Sequence, residues 1–256
     1  MCIRDSLNGD GSLEEVFAAE ALYILRGRDG RLYRSFPLEV GAISSPAVAD
    51  LNGDGFPDVV LGAYEGTVYA VDGRTGRELW RYPTGGAIEF SSAAVADLDG
   101  DGRQEVAIGV TGKGVLLLDG RTGRKRWLYP VAAQFRSSPA LADLDDDGQR
   151  EVVIGSNDRR VYALSAGGQL RWRFTAQGLV ESSPAVADID NDGQQEVIIG
   201  SHDGRLYCLN GLTGRKEWEF RSGGQVFSSP ALADLDSDGL LEIVFGNNSG
   251  SVYALD

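Results

Sequence analysis

Residues 137–174 read SSPALADLDDDGQREVVIGSNDRRVYALSAGGQLRWRF, and this stretch contains one full unit of a repeat that runs along the chain. Its apolar runs PALADL, EVVIGS, RVYALS and QLRWRF are separated by an acidic loop, a polar turn and a Gly-rich turn. Short runs rich in Val, Ile, Tyr and Trp that are bounded by Gly, Asn, Asp or Ser are typical of β-strands. Helical periodicity is absent from the sequence, so the stretch predicts four short antiparallel strands.

The acidic loop DLDDDGQRE of this stretch recurs at a nearly constant spacing. Copies begin at residues 50, 97, 143, 188 and 234, and a degenerate copy, SLNGDGSLE, begins at residue 6. Successive copies start 44, 47, 46, 45 and 46 residues apart. A period of this length with four short strands indicates one blade of a β-propeller. The length of 256 residues allows one or two domains, but the constant period favours a single repeat domain.

We therefore predict an all-β fold, a β-propeller of four-stranded antiparallel blades, with one repeat domain over residues 7–256. The predicted blades are 7–43 (partial), 44–90, 91–136, 137–181, 182–227 and 228–256 (partial). Three strands before residue 44, sixteen in the complete periods and three after residue 227 give 22 strands, or about five and a half blades. Because the two end pieces overlap rather than complement each other, we predict a fragment of a larger propeller of about six to eight blades.

The first six residues, MCIRDS, equal the in-frame translation of ATGTGTATAAGAGACAG, a transposon-end adaptor used in sequencing libraries. We predict that residues 1–6 are non-native and are joined to a gene truncated within its first acidic loop. This origin explains why Ser6 stands where every other copy has Asp. Such segments are excluded from reasoning about the fold.

The acidic loop supplies oxygen atoms at the positions that a calcium ion requires. Calcium takes about six to eight oxygen ligands, and Gly at position 6 permits the tight turn that wraps them around the ion. Several carboxylates within nine residues repel one another without a cation, which argues against a simple Asp-rich turn. The five intact loops therefore predict about five calcium ions. The predicted side-chain ligands, at positions 1, 3, 5 and 9, are Asp50, Asn52, Asp54 and Asp58; Asp97, Asp99, Asp101 and Glu105; Asp143, Asp145, Asp147 and Glu151; Asp188, Asp190, Asp192 and Glu196; and Asp234, Asp236, Asp238 and Glu242. In the degenerate copy, Asn8, Asp10 and Glu14 form a weaker candidate site.

The DxDxDGxxD/E loop between two apolar strands resembles the FG-GAP or VCBS-type repeats of integrin-alpha-like propellers. The stretch VYAVDGRTGRELW at 68–80 recurs at 115–127 and 206–218 and resembles the tryptophan repeat of quinoprotein-like (PQQ-like) propellers. The resemblance implies a backbone carbonyl ligand at position 7, from Phe56, Arg103, Gln149, Gln194 and Leu240. It also implies that Trp80, Trp127, Trp172 and Trp218 dock one blade on the next, and it does not imply a quinone cofactor. Arg34 stands in this position in the first period.

The net charge of the chain limits the classes of partner that it is expected to bind. The chain has 38 acidic and 24 basic residues, a formal net charge of −14, and 20 of the acidic residues lie in the five intact loops. Five calcium ions would bring the formal charge to −4, so the acidity does not indicate a cationic partner. The sequence has no basic stripe, which argues against nucleic acid, and no apolar run long enough to span a membrane. The oligomeric state is left open.

Catalytic residues are not evident in the sequence, and we predict that the chain is not an enzyme. His202 is the only histidine and falls in a turn, which favours a surface position. A Ser-Ser pair recurs in every period, beginning at residues 44, 91, 137, 182 and 228, and this regularity favours a structural role before the first strand. The G-x-S-x-G motif of a nucleophilic serine is absent.

The positions that vary between repeats indicate where a ligand binds. In an up-and-down blade, the acidic loops lie at one end of the sheet, and the loops between strands two and three lie at the other. Specific contacts are expected on variable loops held by a rigid scaffold. The candidate ligand residues are Tyr64, Phe90, Thr111, Phe135, Arg136, Asn157, Glu181, His202, Phe227 and Asn248. Alternatively, Phe90, Phe135 and Phe227 fill the central channel.

Two functional hypotheses follow. The first is a calcium-binding recognition or adhesion scaffold that binds a protein or a carbohydrate. The alternative is the propeller domain of a secreted enzyme, such as a polysaccharide lyase or a quinoprotein dehydrogenase. Extracellular calcium modules bind the ion at about 10⁻⁴–10⁻³ M, a concentration not reached in resting cytosol. We therefore predict a secreted, cell-surface or periplasmic protein.

Overall fold

The structure, a computed structural model, describes residues 3–7 and 9–256, with residues 3–5 described by their backbone alone. The predicted ligand Asn8 lies outside the described residues. Every regular element among the described residues is a β-strand, so none of them forms a helix long and apolar enough to cross a membrane. The strands are β1 (Ile3–Asp5), β2 (Glu14–Ala18), β3 (Ala21–Arg26), β4 (Leu32–Pro37), β5 (Ala47–Ala49), β6 (Asp58–Gly62), β7 (Thr67–Val71), β8 (Glu78–Pro83), β9 (Ala94–Ala96), β10 (Glu105–Val110), β11 (Gly114–Asp119), β12 (Lys125–Pro130), β13 (Ala140–Ala142), β14 (Glu151–Ser156), β15 (Arg160–Leu164), β16 (Leu170–Thr175), β17 (Ala185–Ala187), β18 (Glu196–Gly200), β19 (Arg205–Asn210), β20 (Lys216–Arg221), β21 (Ala231–Ala233), β22 (Glu242–Gly246) and β23 (Val252–Leu255).

Consecutive strands pair antiparallel in six separate sheets. Five sheets have four strands, β1–β4, β5–β8, β9–β12, β13–β16 and β17–β20, and the sixth has three, β21–β23. In each sheet the spatial order follows the order along the chain. This is the up-and-down sheet of a propeller blade, so the predicted all-β propeller fold is confirmed.

The predicted count of 22 strands is wrong by one. The first sheet has four strands because β1 pairs with β2, with Ile3 opposite Val16 and Asp5 opposite Glu14. A ladder is built from backbone N–H and C=O groups, which every residue except proline supplies, so a residue pattern does not reveal such a strand. This pairing does not bear on the origin of residues 1–6, which stays a prediction.

The chain divides into two compact units, Met1–Phe135 and Arg136–Asp256. In the first unit, the β5–β8 and β9–β12 sheets share a buried core that contains Val60 and Ile108. In the second unit, the β13–β16 and β17–β20 sheets share one that contains Val153, Val197 and Leu209. The second strands of these sheets are buried at every residue. Burial on both faces explains why these strands have continuous apolar sequences rather than alternating ones.

Tryptophan joins neighbouring sheets within each unit. Trp80 Nε1 donates a hydrogen bond to the carbonyl oxygen of Gly120 at 2.7 Å, and Trp172 Nε1 donates one to Gly211 at 2.6 Å. The Trp172 indole covers Gly214, where an added Cβ would lie 2.4 Å from a ring atom. The docking role predicted for Trp80 and Trp172 is therefore confirmed. In the first sheet, Arg34 takes the place of the indole and lies beside a glycine of the next sheet.

The Ser-Ser pairs are structural, as their regularity predicts. Ser182 is fully buried, and its hydroxyl oxygen accepts a hydrogen bond from the N–H of Gly200 at 3.1 Å. The second serine of a pair links two sheets, because Ser183 Oγ accepts a hydrogen bond from the N–H of Ser138 at 2.9 Å. In the first unit, Ser92 Oγ accepts the same bond from Ser45 at 2.9 Å.

Candidate functional site

Each acidic loop joins the first strand of a sheet to the second. The position-9 carboxylate is the first residue of that second strand, as Glu151 is in β14 and Glu196 is in β18. The aspartate at position 1 accepts a hydrogen bond from the N–H of the glycine at position 6, at 2.9 Å for Asp143 with Gly148. The same bond recurs in the other intact loops at 2.8–3.2 Å. The sequence therefore folds into the same compact loop in every intact copy.

Glycine at position 6 is required by its backbone conformation rather than by space. Gly148 has φ of 84° and Gly193 has φ of 88°, in the left-handed region that residues with a Cβ rarely adopt. An added Cβ at either position would contact nothing within 4 Å. This φ angle turns the chain sharply, and it thereby brings the position-1 and position-9 carboxylates to the same side of the loop.

The carboxylate at position 9 is buried beneath the loop. Glu105, Glu151 and Glu196 are at most 1% exposed. One oxygen of each accepts the N–H of the residue at position 2, at 3.0 Å for Glu196 with Ile189. In Glu242, which is 7% exposed, the other oxygen, Oε1, accepts no hydrogen bond from the described residues. A buried carboxylate oxygen without a partner is destabilising unless a cation or a proton satisfies it.

Burial beneath the loops also raises the pKa of their carboxylates. Burial raises the pKa of Asp58 to about 6. Burial raises the pKa of Glu196 to about 7, and the negative charges of Asp190, Glu217 and Asp192 add to this effect. Burial likewise raises the pKa of Glu105 and Glu151. A bound divalent cation would reverse these shifts because it favours the ionised carboxylate.

Four loops bring three carboxylates close enough to hold one metal ion. In each group the ligand oxygens lie within 4.8 Å of one another. The groups are Asp97, Asp99 and Asp101; Asp143, Asp145 and Glu151; Asp188, Asp190 and Glu196; and Asp234, Asp236 and Glu242. Together with the unpartnered Glu242 oxygen, these all-oxygen donor sets fit a hard divalent cation. The loop at 50–58 has Asn52 at position 3, and its described carboxylates form no such group.

The degenerate first loop keeps its hydrogen bonds although it lacks the first aspartate. Ser6 Oγ accepts the N–H of Gly11 at 3.2 Å, in place of the carboxylate oxygen. Glu14 Oε2 accepts the N–H of Leu7 at 2.9 Å. These two hydrogen bonds are therefore retained, whereas the number of carboxylates is reduced.

Two acidic loops are contacted by an arginine of the fourth strand that the sequence pattern did not single out. Arg126 Nη1 lies 2.5 Å from Asp99 Oδ2 and 3.3 Å from Glu105 Oε1. Arg171 Nη2 lies 2.6 Å from Asp145 Oδ2 and 3.3 Å from Glu151 Oε1. Each arginine immediately precedes the tryptophan of the fourth strand. Their place just before the tryptophan, which recurs in four of the six periods, is the signal in the sequence that could have found them.

The variable face has a polar cluster in the second unit. Glu181 Oε1 accepts a hydrogen bond from Asn157 Nδ2 at 2.9 Å. Glu181 Oε2 lies 3.3 Å from His202 Nε2 and 3.5 Å from Arg136 Nη1. The predicted surface position of His202 is only partly correct, because its side chain is 15% exposed and its ring packs against Phe227 at 4.2 Å. Five of the ten candidate ligand residues therefore meet at one place.

The remaining candidate ligand residues do not form a comparable cluster. Tyr64 and Phe90 are about half exposed, and Asn248 is exposed. Thr111 is partly buried, and its hydroxyl oxygen accepts the N–H of Phe135 at 3.3 Å. Phe135 is fully buried, which favours the alternative that its ring fills the interior.

A cleft of about 390 Å³ lies beside the polar cluster. It is lined by His202, Asp203, Arg205, Arg221 and Gln225 together with three glycines. Arg205 is held by Glu219, at 3.1 Å from Oε1. Of these residues, only His202 is marked by the sequence pattern. The others lie in the loop between strands two and three, in β19, and in β20 and the loop after it, where the repeats also diverge.

Comparison with protein families agrees with the motifs. The FG-GAP-like repeat matches residues 7–61 and 50–108. The outer membrane protein assembly factor BamB matches residues 147–256. The chain therefore contains FG-GAP-like repeats in its first part and a BamB-like, PQQ-type repeat region in its second part, as the sequence predicts. A comparison with curated proteins finds no match.

Solved structures share the fold. BamB from Moraxella catarrhalis superposes with a TM-score of 0.71 at 19% identity, over 100% of this chain and 71% of that one. The exotype rhamnogalacturonan lyase YesX gives a TM-score of 0.72 at 19% identity, over 98% of this chain and 54% of the lyase. The V. cholerae biofilm matrix protein Bap1 gives 0.66 at 19% identity, over 100% of this chain and 52% of that protein. At these identities the similarity shows the fold alone.

Proposed function

We propose that this chain is a calcium-binding β-propeller that serves as a recognition scaffold outside the cytosol. The observation that carries the proposal is the buried carboxylate at the start of each second strand. In Glu242 one oxygen accepts a backbone N–H and the other has no hydrogen-bond partner among the described residues. Glu242 belongs to a group of three carboxylates whose ligand oxygens lie within 4.8 Å of one another.

Calcium is the cation best matched to these donors. Every candidate side-chain ligand offers an oxygen, and calcium accepts six to eight oxygens in variable geometry. We propose about five ions, one for each intact loop. The loop at 50–58 would use Asp50, the Asn52 amide oxygen, Asp54 and Asp58. The carbonyl oxygens at position 7 would complete each set, and the first loop would bind more weakly because Ser6 lacks a carboxylate.

Recognition is assigned to the variable face of the second unit. The polar cluster around Glu181 and the adjoining cleft combine hydrogen-bond donors, acceptors and the exposed ring of Phe227. Such a surface suits a protein segment or a carbohydrate, which are recognised by hydrogen bonds and by stacking on aromatic rings. Weak calcium affinity, about 10⁻⁴–10⁻³ M, would be sufficient in a periplasm or outside a cell.

Calorimetric titration of the metal-depleted chain with calcium chloride tests the metal assignment. We expect about five ions to bind, and we expect Asp234→Asn to remove one of them because its loop loses the position-1 ligand. Asp29→Asn is the matched control, since Asp29 is an exposed carboxylate outside the acidic loops. Absence of binding heat at millimolar calcium, or equal stoichiometry in Asp234→Asn and Asp29→Asn, would refute the assignment.

A further inference from the structure

A β-bulge recurs between the third and fourth strands of all five four-stranded sheets. In the β13–β16 sheet, Ala163 pairs with Trp172 and Leu164 pairs with Leu170, so Arg171 is left without a partner residue. The other ladders shift at the equivalent place. A bulge adds one residue to a strand and re-aims its side chain. The bulge residues, each just before the tryptophan or its replacement, are Tyr33, Leu79, Arg126, Arg171 and Glu217.

In two sheets the bulge residue extends into the acidic loop of the same sheet. Arg171 Nη2 lies 2.6 Å from Asp145, 3.4 Å from Asp147 and 3.3 Å from Glu151. Arg126 makes the corresponding three contacts in its own sheet, at 2.5, 3.7 and 3.3 Å. Each guanidinium thus faces the carboxylate oxygens at positions 3, 5 and 9.

The bulge residues of the other sheets carry a different charge. Glu217 occupies this position in the β17–β20 sheet, where Asn210 Nδ2 donates to its Oε1 at 3.1 Å. Asn210 is opposite Glu196 in the ladder, so Glu217 adds a carboxylate beside the loop at 188–196. Leu79 is neutral and packs against the core of its unit. The loops at 97–105, 143–151 and 188–196 are nearly alike in sequence but differ in the charge of this neighbour.

We propose that the bulge residue of the fourth strand sets the calcium affinity of each loop. The inference rests on the proposed function, that the loops bind calcium. Arg126 and Arg171 are tethered counter-ions that compete with the ion for the same oxygens. Glu217 instead adds negative charge. Among the loops at 97–105, 143–151 and 188–196, the loop at 188–196 binds calcium most tightly, and the other two bind it more weakly.

Calcium titrations of four proteins, each spanning residues 1–256, test this ranking: the unaltered chain, Arg171→Gln, Glu217→Gln and Arg173→Gln. Arg173 is an exposed residue of β16, so its variant controls for the loss of one positive charge. We expect Arg171→Gln to tighten one site by about tenfold and Glu217→Gln to weaken the site at 188–196 by about tenfold, because a unit charge a few ångströms from a divalent ion changes its affinity by at least that factor. Adding Asp143→Asn to Arg171→Gln should abolish the gain.

Thermal unfolding supplies a second readout. Without calcium, Arg171→Gln should unfold at a lower temperature than Arg173→Gln, because three carboxylates lose their counter-ion. With saturating calcium this difference should disappear or reverse. Equal calcium affinities in Arg171→Gln and Arg173→Gln would overturn this inference but not the proposed function. Absence of binding in both the unaltered chain and Arg171→Gln would overturn the proposed function and the inference with it.

Discussion

Glu196 shows what a single residue contributes to the acidic loops. It is 1% exposed, and burial raises its pKa from about 4.5 to about 7 in the metal-free protein. Between about pH 4.5 and pH 7, Glu196 keeps a proton in the folded protein that it releases in the unfolded chain. The contribution of Glu196 to stability is therefore fully present below about pH 4.5 and is lost as the pH rises through about 7. Metal-free protein should lose stability over this range.

The pH dependence gives a direct prediction for Glu196. We expect the free energy of unfolding of metal-depleted protein, measured by urea denaturation, to fall by about 3 kcal/mol from this residue between pH 4.5 and pH 7.5. Glu196→Gln should show a shallower decline, because the amide does not titrate. Saturating calcium should flatten the profile of the unaltered chain. Identical profiles for Glu196→Gln and the unaltered chain would contradict the assignment of a raised pKa.

At the scale of single residues, the sequence predicts which carboxylates of a loop converge better than it predicts which side chains contact them. Asp188, Asp190 and Glu196 lie within nine residues, so their convergence depends only on a local turn at Gly193. Arg171 reaches the loop at 143–151 through a bulge about twenty residues away in the chain. A bulge has no residue signature in β16, so the contact could not be derived from the pattern of apolar residues.

The pairing of sheets through tryptophan and glycine is a property of whole elements. Gly214 has φ of 66° and lies under the Trp172 ring. Gly223 has φ of 76°, and a Cβ added there would contact nothing within 4 Å. Both positions resist a Cβ for the same backbone reason. Only Gly214→Ala must also displace an indole that joins two sheets of the second unit.

Comparison of Gly214→Ala with Gly223→Ala isolates this docking contact. In both variants the free energy of unfolding should fall by about 1 kcal/mol, because alanine is strained in the left-handed backbone conformation. In Gly214→Ala the free energy of unfolding should fall by about 2–3 kcal/mol more, because the Trp172 ring must move out of a packed site. Urea midpoints of the two variants measure the difference. Equal losses would mean that the Trp172 ring contributes nothing beyond its own sheet.

The Ser-Ser pairs connect elements through hydrogen bonds. Ser182→Ala should destabilise the protein by about 1–3 kcal/mol, because the buried N–H of Gly200 loses its acceptor. Ser35→Ala is a suitable control, since Ser35 is exposed on β4. Chemical denaturation compares the two variants, and a loss no larger in Ser182→Ala than in Ser35→Ala would rule out this structural role.

Strand assignment from sequence was accurate where apolar residues define the strand. The predicted strands EVVIGS and RVYALS coincide almost residue for residue with β14 and β15. The first strand of each sheet is short, three residues in β13, and its partly buried residues carry little pattern. The sequence does not predict β1 either, because its pairing with β2 is a ladder of backbone groups that no residue pattern reveals.

Because one loop is repeated along the chain, the proposed calcium binding would be a property of the whole molecule. The period alone predicted the propeller fold, because each sheet needs a neighbour to bury its apolar faces. Sequence could not rank the loops, since their nine residues are nearly the same in each copy. With a formal charge of −14 and 20 acidic residues in five loops, the metal-free protein has strong local repulsion at each loop. Calcium should therefore stabilise the folded chain far more than a single site would.

Thermal unfolding in the presence of about 2 mM calcium, and again with a chelator, tests the central claim most directly. If each site has a dissociation constant of about 0.1 mM, calcium adds about 1.8 kcal/mol per site, or about 9 kcal/mol for five sites. The account predicts a large rise in Tm that continues as calcium is increased and that magnesium does not reproduce. An unchanged Tm would show that the acidic loops are turns without a structural ion, and the calcium assignment would be abandoned.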